Sequence, residues 1–178
     1  MDTGSAVAVT PHAGVTFKRP KIQDGAGMWR LARRSGALDL NSSYSYLLWC
    51  RDFAETSLVA KGPDGELCGF VTGYIRPGLP NTLVVWQIAV DTELRGRGVA
   101  AAMLDTLVSH TGSAGVSHLE ATITPGNTAS AQLFVSFAGR HEAPVTREVL
   151  FDTVVFPDAH DTELLYRIGP FAPTLARR

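Results

Sequence analysis

The chain of 178 residues has a formal net charge of −1 and 45% hydrophobic residues, which fits one globular domain with a sizeable core. A charge this close to zero excludes a general electrostatic attraction to nucleic acid or to anionic membranes, so we expect neither as a partner. We also expect no transmembrane helix and no signal peptide, because no apolar run is long enough to span a bilayer and residues 1–14 lack a basic start followed by an apolar core.

The predicted elements begin after residues 1–14, a segment rich in Ala, Thr, Val and Gly that we expect to be disordered. Turn residues and apolar patterns predict strands at 15–18, 57–61, 66–74 and 82–90. Helical spacing of apolar residues predicts a helix over 21–34. A second helix is predicted to extend to about Phe53, because Asn41 or Ser42 can cap its first turn.

The second half of the chain continues this alternation of helices and strands. Helices are predicted over 98–110 and 128–138, and strands over 116–124, 147–150 and 163–168. The last residues, 171–178, are expected to form a tail. Strands mixed with helices in this order predict an α/β (α+β) fold with a mixed sheet, in one domain over 15–170.

The cysteine and histidine residues show no metal-ligand spacing. Cys50 and Cys68 are the two cysteines, they sit in apolar surroundings, and the five histidines are scattered along the chain. We therefore expect no metal site and a reducing, cytoplasmic compartment.

The most informative segment is a glycine- and arginine-bearing loop between the strand 82–90 and the helix 98–110. Its sequence is Arg95-Gly96-Arg97-Gly98-Val99-Ala100. Backbone N–H groups at a helix N-terminus, with the positive end of the helix dipole behind them, bind phosphate-type anions. Glycine lets the backbone approach such a ligand closely. We therefore expect a cofactor that carries a pyrophosphate.

A dinucleotide site is the first alternative for this loop. Gly96, Gly98 and Ala101 fit the pattern G-x-G-x-x-A, and Glu120 lies roughly where an acid that binds the ribose is expected. We reject this interpretation because residues 91–95 separate the strand from the turn and three strand-like segments precede it. No Walker A sequence occurs in the chain.

The pattern Arg95-x-x-Gly98-x-Ala100 instead resembles the acyl-CoA loop of the GNAT superfamily of N-acetyltransferases, Q/R-x-x-G-x-G/A. The resemblance implies a GNAT fold, with a mostly antiparallel central sheet, a splayed strand pair and flanking helices. It also implies that the pantetheine arm of the cofactor pairs with the backbone of the preceding strand. The cofactor-binding residues implied in this way are Ile88, Ala89, Val90, Arg95, Gly96, Arg97, Gly98, Val99, Ala100 and Asn127.

A more specific resemblance covers about residues 16–170. The segments that carry it are LDLNSSYSYLL at 38–48, GFVTGY at 69–74, VWQIAV at 85–90, LEATITPGN at 119–127 and LLYRIGP at 164–170. They closely resemble the L-2,4-diaminobutyrate Nγ-acetyltransferases of ectoine biosynthesis. The resemblance implies acetyl-CoA as donor, the γ-amino group of L-2,4-diaminobutyrate as acceptor, and a cytoplasmic homodimer.

The same resemblance indicates the substrate site. By match, the residues in contact with the substrate are Asp39, Tyr44, Trp86 and His160. Asn41 and Ser42 join Asp39 in a polar patch where a carboxylate could bind a substrate ammonium group. Glu163 flanks the same strand as His160 and could bind the amino-acid end of the substrate with it. Trp86 could instead be a core residue.

The catalytic groups are less clearly marked. Direct attack needs a neutral amine, and Glu120 is the predicted general base, directly or through a water, with an exposed strand carboxylate as the alternative. Phe134 stands where many GNAT enzymes have the tyrosine that protonates the leaving thiolate, so water or another residue must do so; Tyr44 and Tyr46 are candidates by type. Asn127 could contact the cofactor, cap the following helix, or do both.

Two further functions remain open from the sequence. The fold could act on another small amine, a polyamine, an aminoglycoside or a protein N-terminus. It could also be a non-catalytic module that binds acyl-CoA, to which the missing tyrosine gives some weight.

Overall fold

The computed structural model describes residues 14–36 and 38–171. Apart from Gly14 and Phe171, the segment 1–14 predicted to be disordered and the predicted tail 171–178 therefore lie outside the described residues. Within the described residues, no helix combines the length and the apolar character needed to cross a membrane.

The described residues form seven strands and four α-helices, each at a predicted position. The strands are β1 (Thr16–Lys18), β2 (Leu58–Lys61), β3 (Leu67–Ile75), β4 (Thr82–Val90), β5 (His118–Ile123), β6 (Val145–Phe151) and β7 (Glu163–Ile168). The helices are α1 (Gly25–Ser35), α2 (Ser43–Asp52), α3 (Val99–Gly112) and α4 (Thr128–Arg140). One prediction was too short: β6 extends beyond 147–150 at both ends.

The strands form one mixed sheet in the order β1-β2-β3-β4-β5-β7-β6. The pairs β1–β2, β2–β3, β5–β7 and β6–β7 are antiparallel, whereas β4 and β5 are parallel. The α/β prediction of a mixed, mostly antiparallel sheet with flanking helices is thereby confirmed. The non-sequential place of β7 puts its residues, Arg167 among them, beside β5.

The chain divides into two compact units, and the first comprises described residues up to Thr72 together with Gln87–Leu107. Helices α1 and α2 bury one face each here, because their apolar residues recur at helical spacing. They pack with β2, β3 and β4 in a core formed by Met28, Leu31, Ala32, Tyr46, Cys50, Val59, Phe70 and Ala89. As expected from Ser35-Gly36, α1 ends at Gly36, whose φ of 60° is left-handed.

The second unit comprises Gly73–Trp86 and the described residues from Val108 onward. On β5, alternate residues Leu119, Ala121 and Ile123 are buried, as a strand with one face on a core requires. Phe134 and Phe137 of α4 are buried as well. Glu120 lies on the opposite face of β5, so this strand carries a charged side chain on the face away from Leu119, Ala121 and Ile123.

Candidate active site

The predicted anion loop lies between β4 and α3. A short 3-10 turn (Thr92–Leu94) follows β4, and Gly96 and Gly98 then adopt left-handed φ angles of 72° and 79°. The carbonyl of Gly98 accepts the first helical hydrogen bond of α3, from Ala102 N at 2.9 Å. These two glycines therefore turn the chain into the helix through a conformation that other residues rarely adopt.

Free backbone donors line this loop. Among the described residues, the N–H groups from Gly96 to Ala101 have no hydrogen-bond acceptor. The first N–H groups of any helix lack an intrahelical partner, and here the two glycines extend the row beyond the helix itself. An anion with several oxygens fits such a row, since the helix dipole favours negative charge at this end.

The loop is held to the end of β4. Arg95 Nε donates to the carbonyl of Val90 at 3.2 Å. Asp91 accepts from Glu93 N at 3.3 Å and pairs with Arg34 at 3.2 Å, while its own N–H donates to Cys68 O at 2.8 Å. These contacts fix the position of the loop where the row of free N–H donors begins. The guanidinium of Arg95 contributes to that support.

The pairing of β4 with β5 is shorter than either strand. Among the described residues it runs from Thr82 opposite His118 to Val85 opposite Ala121, whereas β4 itself continues to Val90. Ile88, Ala89 and Val90, the predicted partners of the cofactor arm, all follow the last of these pairs. The resemblance implied a pair of strands that separate near one end, and the partial pairing of β4 with β5 agrees with this.

A buried hydrogen-bond chain supports the segment that carries Asp39. The hydroxyl of Tyr46 donates to Gln87 Oε1 at 2.9 Å, and Gln87 Nε2 donates to the backbone carbonyl of Asp39 at 2.8 Å. Burial raises the pKa of Tyr46, and hydrogen bonds with Gln87 and Asn41 only partly oppose this. A phenol that is buried, engaged and hard to ionise is poorly suited to protonate a thiolate. Gln87 was not predicted as a site residue, although a glutamine inside an apolar strand is a signal of a buried polar contact.

Three other predicted substrate residues have different settings. Tyr44 is 63% exposed on α2, and Trp86 is 52% exposed on β4. Such exposure contradicts the alternative that Trp86 is a core residue. Ser42 stands at the N-cap position of α2, where its hydroxyl lies 3.0 Å from that of Ser45. The cap position was predicted correctly, but the hydroxyl contacts a side chain rather than a backbone N–H group.

Glu120 lies between two arginines. Arg76 Nη1 donates to Glu120 Oε1 at 2.9 Å and to Oε2 at 2.8 Å, and Arg167 Nη1 donates to Oε1. The Glu120 side chain is 4% exposed, so the alternative of an exposed strand carboxylate is wrong. Three donated hydrogen bonds use most of the four acceptor sites of a carboxylate and leave one on Oε2. Both arginines were missed from the sequence.

His118 adjoins this cluster. Burial and the positive charge of Arg167 lower its pKa, while Glu120 acts in the opposite direction. Its Nδ1 lies 3.0 Å from the hydroxyl of Ser117. The neutral imidazole is thereby favoured, and the two guanidinium groups supply the positive charge here.

His160 and Glu163 are brought together as a pair. His160 Nε2 lies 3.7 Å from Glu163 Oε1, and the imidazole stacks on Phe156 with ring centroids 4.1 Å apart. His160 Nδ1 lies 2.7 Å from the carbonyl of Asp161. The stacking and this contact hold the orientation of the ring.

Helix α4 begins at Asn127. Its Oδ1 accepts from Ser130 N at 3.1 Å, which confirms the helix-cap interpretation. Contact of Asn127 with the cofactor stays a prediction. Phe134, in the following turns, is buried and has no proton to donate.

Comparison with known proteins places this geometry in context. The profile of the Acetyltransferase (GNAT) family matches residues 27–139. The L-2,4-diaminobutyric acid acetyltransferase of Streptomyces avermitilis is 58% identical over 161 residues, which are 89% of this chain and 90% of that protein. That of Marinococcus halophilus is 48% identical over 158 residues, 88% and 91% of the two chains.

Solved structures agree. The diaminobutyrate acetyltransferase EctA from Paenibacillus lautus, in complex with its substrate L-2,4-diaminobutyric acid and coenzyme A, superposes with a TM-score of 0.85 at 38% identity, covering 91% of this chain and 98% of that one. Ard1 from Thermoplasma volcanium has a TM-score of 0.69 at 17% identity, covering 87% and 97%, which is a likeness of fold alone.

Proposed function

The chain belongs to the GNAT family of acetyltransferases, and from this premise we propose that it transfers the acetyl group of acetyl-CoA to the γ-amino group of L-2,4-diaminobutyrate. The product is Nγ-acetyl-diaminobutyrate, the substrate of the cyclisation that yields ectoine. The observation that carries the proposal is the likeness, at 38% identity over 91% of the chain, to an enzyme bound to both diaminobutyrate and coenzyme A.

The cofactor side of the reaction follows from the loop and the strand before it. The pyrophosphate of acetyl-CoA binds the free N–H groups of Gly96–Ala101, with Arg95 and Arg97 adding positive charge. The pantetheine arm pairs with the backbone of Ile88, Ala89 and Val90. A backbone N–H of this stretch is then suited to stabilise the oxyanion that forms when the amine attacks the thioester.

The amine must lose its proton before it attacks. An aliphatic ammonium titrates near 10.4, so reaching the neutral amine at pH 7 costs about 5 kcal/mol. Glu120 retains one free acceptor site on Oε2, through which it takes the proton by way of a water. Tyr44, exposed on α2, is the proposed donor to the departing thiolate, since Phe134 has no acidic proton.

A covalent acetyl-enzyme does not fit the cysteines. Burial, with a smaller contribution from Asp24, raises the pKa of Cys50 to about 11, and its Sγ lies 3.5 Å from the sulfur of Met28. Burial also raises the pKa of Cys68. Both thiols therefore stay protonated near neutral pH and are weak nucleophiles, which favours direct attack by the amine.

The substrate contacts and the assembly are proposals as well. The residues proposed to bind diaminobutyrate are Asp39, Asn41, Ser42, Tyr44, Trp86, His160 and Glu163. We also propose a cytoplasmic homodimer, since the edge strand β6 and the turn after it expose apolar side chains at Val149, Phe151, Val154 and Val155. In sedimentation, Val154→Asp should produce monomers, whereas Val135→Asp, at an exposed valine of α4, should not.

Mass spectrometry of the reaction products tests the function. Incubation with acetyl-CoA and diaminobutyrate should give one acetylated product, and fragmentation should place the acetyl group on the γ-nitrogen. Acetylation of spermidine, an aminoglycoside or a peptide N-terminus in its place would identify another acceptor. Binding of acetyl-CoA without turnover of any amine would identify a non-catalytic module.

A further inference from the structure

We propose that Arg76 and Arg167, oriented by Glu120, bind the α-carboxylate of the substrate and so determine specificity for a diamino acid over a simple diamine. This inference rests on the proposed function and deepens it. It assigns a role to Arg76, which lies in none of the quoted segments, and to Arg167, which lies in the segment LLYRIGP but was given no role.

The cluster is set up by strand register. Arg167 of β7 lies directly opposite Glu120 of β5, so the two side chains share one face of the sheet. Arg76 follows the end of β3 and reaches the same carboxylate, with one nitrogen 2.9 and 2.8 Å from its two oxygens. The buried carboxylate thus fixes both guanidinium groups from one point.

The charges of the cluster do not balance. Two guanidinium groups share one carboxylate, which leaves one positive charge in excess. Their side chains are 40% and 32% exposed, whereas that of Glu120 is 4% exposed. Glu120 neutralises one of the two cations, so the partly exposed cluster retains one positive charge for a second anion to neutralise.

Unused donors point to a second anion. Each arginine contacts Glu120 through Nη1 alone, although a guanidinium offers five N–H groups. Among the described residues, their other nitrogens have no hydrogen-bond acceptor. Planar guanidinium groups with free N–H edges match a carboxylate, which they bind in bidentate fashion.

The cluster also lies on the same face as Trp86. Val84 of β4 pairs with Glu120, and Trp86 is two residues further along the same strand, about 7 Å away. In diaminobutyrate, the Cα, Cβ and Cγ atoms separate the carboxylate from the γ-nitrogen. Holding the carboxylate at the arginines therefore keeps the adjacent α-nitrogen beside them. It leaves the γ-nitrogen, three carbons away, as the free amine, whose proton Glu120 takes through the water at Oε2, which accounts for selection of the γ-amine.

The test compares two acceptors, diaminobutyrate and 1,3-diaminopropane, which has the same spacing of amines but no carboxylate. Arg76→Gln and Arg167→Gln should each lower kcat/KM for diaminobutyrate by about 10- to 100-fold, the loss expected for a hydrogen bond to a charged group. For diaminopropane the loss should be at least tenfold smaller, because it reflects only the disturbance of Glu120, which both acceptors share. Arg147→Gln is the matched control, because its guanidinium lies over the Tyr166 ring, 5.6 Å from the centroid, and should affect neither acceptor.

Each outcome is informative. An equal loss for both acceptors, or no loss for either, would overturn the inference, because a merely structural ion pair cannot distinguish them. If a glutamine variant does not fold, Arg76→Lys and Arg167→Lys replace it. They keep the ion pair with Glu120 but lack the planar guanidinium that binds a carboxylate through two N–H groups, so kcat/KM should again fall more for diaminobutyrate than for diaminopropane. Failure of the unaltered protein to acetylate diaminobutyrate would instead refute the proposed function.

Discussion

The substitution Tyr46→Phe tests the buried chain that ends at Asp39. It removes one hydroxyl from a fully buried ring and leaves Gln87 Oε1, in a side chain that is itself buried, without its donor at 2.9 Å. An unsatisfied buried acceptor costs about 1–3 kcal/mol. For a chain of this length, a loss of about 2 kcal/mol lowers Tm by about 4–8 °C.

Thermal and urea unfolding measure this loss, and Tyr44→Phe is the matched control. Tyr44 belongs to the same helix but is exposed, so removal of its hydroxyl should change the free energy of unfolding by less than about 0.5 kcal/mol. In steady-state kinetics, Tyr46→Phe should raise KM for diaminobutyrate but not for acetyl-CoA. The reason is that Gln87, which loses its hydrogen bond with Tyr46, also donates to the carbonyl of Asp39.

The reasoning fails if Tyr46→Phe unfolds at the same urea concentration as the unaltered protein. In that case the hydrogen bond to Gln87 would contribute nothing measurable, and the segment around Asp39 would be held by other contacts. A loss of stability with unchanged KM values would limit the role of the chain to folding.

Two further predictions concern the thiol in the core and the anion loop. Burial raises the pKa of Cys50 from 9.0 to about 11, so between these pH values the native state keeps a proton that the unfolded chain loses. The contribution of this group to the free energy of unfolding is therefore complete below pH 9 and is lost as pH rises through 11. The total loss is about 3 kcal/mol. Urea unfolding between pH 8 and 11.5 should show this decrease, and Cys50→Ala should make it shallower. In the loop, Gly98→Val must hold a branched residue near the φ of 79°, a left-handed conformation that costs about 1–2 kcal/mol, so KM for acetyl-CoA should rise about tenfold. Gly115→Val, at a φ of 91° after α3, should lower stability but leave KM for acetyl-CoA unchanged.

The sequence was most informative where burial alternates or repeats regularly. Strand 82–90 and strand 163–168 have turn residues before them and apolar patterns inside, and both were predicted with the bounds that the structure shows. β6 was predicted too short because nearly all its residues are exposed, so it carries no alternation to mark its ends. The anion loop was predictable because its chemistry depends on consecutive residues.

The supporting contacts of the site were not predictable in this way. Arg167 meets Glu120 only because β7 lies between β5 and β6, an order that no local pattern reveals. Gln87 donates to a backbone carbonyl 48 positions earlier. Every residue has such a carbonyl, so the sequence does not indicate which one is the acceptor. Glu120 was recognised as a candidate from its strand, but its two cationic partners depend on how distant segments pair.

The loop at Gly96–Ala101 recognises charge and shape rather than chemical identity, because its row of donors consists of main-chain N–H groups and the arginines beside it add only positive charge. Inorganic phosphate or sulfate in an assay buffer competes for the same donors, so the apparent affinity for acetyl-CoA depends on the choice of buffer salt. Turnover measured in a buffer without oxyanions therefore gives the KM for acetyl-CoA directly, whereas turnover in phosphate gives a KM raised by competition between phosphate and acetyl-CoA.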